Sequence, residues 1–67
     1  MLPHTVQEVV DMVNAVLVGW DEETNLPIAE IRGPYEQERI TGTREKIIIA
    51  RKAMEQRAIQ HFNEETK

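Results

Sequence analysis

The stretch Val16-Leu17-Val18-Gly19-Trp20-Asp21-Glu22-Glu23-Thr24-Asn25-Leu26-Pro27-Ile28-Ala29-Glu30-Ile31 admits two folds. In one, residues 16–20 end a long amphipathic helix. Val6, Val9, Val10, Val13, Val16, Leu17 and Trp20 recur at helical spacing and share an arc of about 120°. Thr5-Val6-Gln7-Glu8 matches a capping box at the start, and Gly19 closes the helix at its end. In the other, Val16–Trp20 and Leu26–Ile31 are two strands of a hairpin. Asp21–Asn25 is then the turn, since asparagine tolerates a left-handed backbone. A third arrangement makes Asn25 the cap of a short helix, with Pro27 in its first turn and Gly33 at its end. Valine is stiff at χ1 and a mediocre helix former, which weighs against the first reading. The spacing of the apolar residues favours the first reading and predicts a helix over 5–18, with the hairpin as its alternative.

Downstream, Thr43 caps a second predicted helix over 43–63, with Glu45 in the first turn where an acid suits the helix dipole. Ile47, Ala50, Met54, Ala58 and His61 form one apolar stripe, and Ile48, Ile59 and Phe62 form a second beside it. Arg51 and Glu55 lie between the two, and Ile49 lies outside both. The stripes together cover about half the helix, wider than a helix with a single contact needs. The expected fold is therefore a single mostly α domain over 1–67, with helices at about 5–18 and 43–63 and an irregular middle. The alternative is α+β, with a hairpin at about 15–32.

Size and composition narrow the function. The chain has 67 residues and no cysteine or serine, which excludes disulfides, thiolate metal sites and the common hydroxyl and thiol nucleophiles. A domain of this size buries only about 60% of the surface its unfolded chain exposes, so support from a partner chain is expected. Trp20, Tyr35 and Phe62 are the only aromatics. No apolar run exceeds four residues, the length of Ala15–Val18, far short of the roughly 20 that span a bilayer. The first residues lack the basic start and apolar core of a secretory signal, so the expected location is cytoplasmic.

No phosphate-binding glycine loop or zinc-helix spacing is present, and the chain is read as a non-enzyme with no cofactor or metal. His4 and His61 are far apart, and Asp21-Glu22-Glu23 lacks the alternating ligands of a calcium loop. His61, in line with Met54 and Ala58, reads as a packed residue with scope for a pH-sensitive contact.

Arg44, Lys46, Arg51, Lys52 and Arg57 give the second helix a basic excess, but their angles scatter them around it. A groove-binding helix gathers its bases on one face. An accessory protein that touches nucleic acid is therefore the alternative function.

The favoured function is a small acidic regulatory or adaptor module that binds a protein partner or itself as a homodimer, with no nucleic acid or membrane partner. Its expected interface is Ile48, Arg51, Glu55, Ile59 and Phe62 on the second helix. Net charge is −4. Residues 1–33 carry six acids and one base, and residues 34–67 six acids and seven bases, an asymmetry that suits halves facing each other.

Overall fold

A computed structural model describes residues 2–66 of the chain. The elements run α1 (Val6–Asp11), β1 (Asn14–Asp21), β2 (Leu26–Arg32), β3 (Gln37–Thr41) and α2 (Arg44–Glu65). The strands form one antiparallel sheet in the order β1-β2-β3. The fold is α+β, which corrects the mostly α expectation and agrees with its hairpin alternative. The first helix is six residues long and does not run from 5 to 18, and the middle is ordered sheet.

The helix begins as its sequence specifies. The Thr5 hydroxyl accepts the Glu8 backbone N–H at 3.1 Å, and the Glu8 carboxylate accepts the His4 N–H at 3.4 Å. That reciprocal contact sits one residue earlier than in the usual capping box. The helix ends because Val16 and Val18 are β-branched and gain more from a pleated surface than from a helix. Helical spacing and strand alternation overlap over 13–17, and tertiary pairing decides between them.

The β1–β2 turn uses side-chain chemistry twice. The Asp21 carboxylate accepts the Glu23 N–H at 2.9 Å, and the Asp21 carbonyl accepts the Asn25 N–H at 2.8 Å. Asn25 sits at φ 58°, in the left-handed region that asparagine tolerates better than most residues. Asn14 pairs with Arg32, Ala15 with Ile31 and Leu17 with Ala29. The register then shifts, so that Gly19 pairs with Ile28 and Trp20 with Pro27. Val18 is left opposite no β2 residue, a bulge that bends β1.

On the other side of β2, Glu30 pairs with Arg39 and Ile31 with Glu38. The β2–β3 connection closes through the Gly33 N–H donating to the Glu36 carbonyl at 2.9 Å. A Cβ on Gly33 would lie 2.9 Å from the Met54 sulfur, so glycine is what lets this corner pass beneath α2.

The core is small: Val9, Val13, Ala29, Ile31, Ile47, Met54 and Ala58. Ala29 and Ile31 alternate on the β2 face that meets α2. Of the expected Val6–Trp20 stripe, only Val9 and Val13 are buried. Val6, Val16, Leu17 and Trp20 are exposed. Arg57 ties α2 to the β2–β3 corner. Its Nε and Nη2 donate to both carboxylate oxygens of Glu36 at 3.2 and 3.0 Å, and Nη2 lies 3.5 Å from Glu38. These acids push the Arg57 pKa further up.

Candidate protein-interaction surface

The two edges of the sheet differ in kind. β3 is five residues long and presents Gln37, Glu38 and Arg39, charged or polar and exposed. Charge of this sort discourages further strand pairing. β1 is eight residues long and presents Val16, Leu17, Val18 and Trp20 with no lysine, arginine or proline. Only the bulge at Val18 interrupts it. An edge strand offers a row of unpaired N–H and C=O groups, and here that row is flanked by apolar side chains on both faces.

Register places Ala15, Leu17 and Trp20 on the same face as Ile31, Ala29 and Pro27, the face that α2 packs against. Ala29 and Ile31 are fully covered, yet Leu17 is 69% exposed and Trp20 56%. The helix runs close to both strands but covers the side chains of the middle one only, leaving Leu17 and Trp20 open. Between β1 and the first two turns of α2 lies an open groove of about 660 Å³, whose apolar walls include Leu17, Trp20, Leu26, Pro27, Ile47 and Ile48. Thr43 and Arg44 stand at its rim, where α2 begins. The Trp20 indole N–H donates to the Asn25 side-chain oxygen at 3.0 Å, so the polar edge of the ring is satisfied by the turn.

The five residues expected to form the interface lie on one side of α2, by helical geometry, but in different surroundings. Ile48 is 45% exposed and lines the groove. Arg51 and Glu55 form a partly buried pair at 3.1 Å. Ile59 and Phe62 are half-buried and pack against the core. The open part of this side is its N-terminal end. Ile49, 68% exposed, lies away from it. Helical spacing places Leu17 and Trp20 on the apolar arc of a first helix, and the structure places them on an exposed edge strand instead. The signal that places them at a surface is the alternative period of two, which puts them on an edge strand.

Comparison with known families, characterised proteins and solved structures finds no match for this chain. The surface is therefore read on its own chemistry. Among the described residues, no three histidine or acidic side chains converge in a metal-binding arrangement. No described helix is long and apolar enough to cross a membrane. His61 is exposed, stacks on the Tyr35 ring at a centroid distance of 3.9 Å and approaches the Glu65 carboxylate at 2.9 Å. Of the basic side chains on α2, Arg51 and Arg57 are engaged with acids, while Arg44, Lys46 and Lys52 make no ion pair among the described residues. On the outer face of the sheet Glu30 accepts from Arg32 at 2.8 Å and from Arg39 at 3.3 Å. These bonds, the Arg32 one foremost, hold the Glu30 carboxyl below its ordinary range.

Proposed function

We propose that this chain is a protein-interaction module that works as a homo-oligomer, through the β1 edge and the groove beside it. The observation that carries this is the exposure of Leu17, Trp20 and Ile48 around one groove. Scattered exposed apolar residues are ordinary. A contiguous apolar patch beside an exposed strand edge free of lysine and proline marks an interaction site.

Two magnitudes agree with this reading. A compact monomer of 7.8 kDa exposes about 4,400 Å², whereas this chain exposes 4877 Å². Its radius of gyration is 13.2 Å, against about 11 Å for a compact domain of this length. Both differences have the sign expected of one part of an assembly. The buried core, seven hydrophobic side chains among the described residues, is also small for independent stability, and oligomerisation is a common remedy.

The test is a dilution series of ¹H–¹⁵N spectra. Concentration-dependent shifts concentrated at residues 14–20 and 43–48 are expected. Shifts concentrated at the β3 edge or in the C-terminal half of α2 would place the interface elsewhere, and spectra independent of concentration would remove self-association.

A further inference from the structure

Resting on that reading, we propose that the occupant of the β1 edge is the β1 strand of a second copy, paired antiparallel about a two-fold axis to give a continuous six-stranded sheet. A two-fold axis that sets two copies of one edge strand antiparallel must run perpendicular to the sheet. It therefore keeps both α2 helices on the same face and makes one residue meet itself. Leu17 lies at the middle of β1 and is the strand's most exposed large apolar side chain, so the axis is placed there. Overlap of the two strands is then nearly complete.

The packing of this arrangement explains why Leu17 and Trp20 are open. Each α2 runs across its own β1 and β2 and buries Ala29 and Ile31 beneath it. Across the junction the two β2 strands are three strand spacings apart, about 14 Å, and the two β1 strands one, about 5 Å. The two helices therefore lie side by side on one face, near the roughly 8–10 Å of helices in contact. The space between them is closed by apolar side chains on the sheet and on the facing sides of the helices. Leu17, Trp20 and Ile48 of both copies supply them. Two such faces, with their strand backbones, approach the roughly 1,000 Å² that a specific interface needs.

Charge supports the antiparallel sense. The turn at the far end of β1 carries Asp21, Glu22 and Glu23. At the near end, Asn14 pairs with Arg32, and Arg32 and Arg39 balance Glu30 and Asp11, so that end carries no block of acids. Antiparallel pairing brings the acidic turn of one copy to the Asn14 end of the other, about two strand spacings, roughly 10 Å, from Arg32. Parallel pairing would set the two acidic turns side by side. The distance is comparable to the screening length, so the contribution is to orientation and weakens with salt.

The absence of native cysteine makes the test direct. Single variants Ala15→Cys, Val16→Cys, Leu17→Cys and Val18→Cys on β1, and Ile49→Cys and Lys52→Cys on α2, are oxidised in the full chain. Sedimentation of each reduced variant reports whether it still associates. Directly opposed residues of an antiparallel pair have Cβ atoms about 4.5–5.5 Å apart, near the reach of a disulfide. Covalent dimer is expected in high yield at 17, where the residue faces itself, to be several-fold lower at 16 and 18, which lie diagonally about 7–8 Å apart, and to be lower still at 15, 49 and 52. Sedimenting dimers that cross-link best on α2 would overturn the strand pairing and leave the self-association reading intact. Monomers at every concentration would overturn both.

Discussion

The Trp20 indole N–H and the Asn25 side-chain oxygen meet at 3.0 Å across the β1–β2 turn. Asn25 is also the one non-glycine residue at positive φ among the described residues. One side chain thus relieves the backbone turn and fixes the largest apolar ring beside the open groove. Asn25→Ala is expected to destabilise the fold by about 1–2 kcal/mol, the cost of a left-handed residue without asparagine's local bonding. Asn25→Gly is expected to recover most of that loss while still freeing the indole. Urea unfolding followed by far-UV circular dichroism measures the first effect, and Trp20 fluorescence anisotropy the second.

Buried and bare apolar residues on the same sheet face should behave differently. Ile31 is fully buried, so Ile31→Ala is expected to cost about 2–5 kcal/mol and can unfold a domain this small. Its cross-strand neighbour-but-one, Leu17, is 69% exposed. Leu17→Ala is expected to change the stability of the isolated chain by less than about 0.5 kcal/mol. The same substitution is expected to weaken association about tenfold, or about 1.4 kcal/mol. Equal losses of stability from the two variants would contradict the assignment of Leu17 to a surface.

Stability should depend on pH through Glu30. Its carboxyl is held below the ordinary value of 4.5 by Arg32 and, next, Arg39. The unfolded chain therefore binds a proton before the folded one does. The resulting stabilisation is present above pH 4.5 and is lost as pH falls through the lower folded value. Glu30→Gln is expected to flatten this part of the acid limb, as measured by urea midpoints at successive pH values, and added salt is expected to reduce the difference. An unchanged acid limb would show that the two arginines do not act on Glu30 in solution.

Gly33 is fixed by contact. Gly33→Ala places a Cβ 2.9 Å from the sulfur of the fully buried Met54 and 3.4 Å from the Glu36 carbonyl. The expected cost is about 1–3 kcal/mol. Combining it with Met54→Ala tests the cause, since the smaller side chain makes room and the double variant should lose less than the sum of the two singles.

Much of α2 is legible in the sequence, because Thr43 caps it and Ile47, Met54 and Ala58 recur at helical spacing and are buried. The N-terminal half is less so. Residues 13–20 satisfy two periods at once, and what separates them is pairing with β2, a non-local contact that no window of sequence contains. The Asp21–Asn25 turn is legible in the sequence, and it belongs to the hairpin alternative, in which the helix stops before Asn14. The candidate surface divides in the same way. Ile48, expected at an interface, lies open on the groove, whereas Leu17 and Trp20 fit the apolar arc of a helix that does not form and stand on an exposed strand.

Self-association through β1 is tested most directly by sedimentation equilibrium of the wild-type chain and of Leu17→Lys across micromolar concentrations. A lysine at this position sets like charges against each other on the proposed axis and protects the edge, without entering the core. A reversible wild-type dimer and a folded monomeric Leu17→Lys variant are expected. A wild-type chain that stays monomeric throughout, or a variant that dimerises as well as the wild type, would contradict the account.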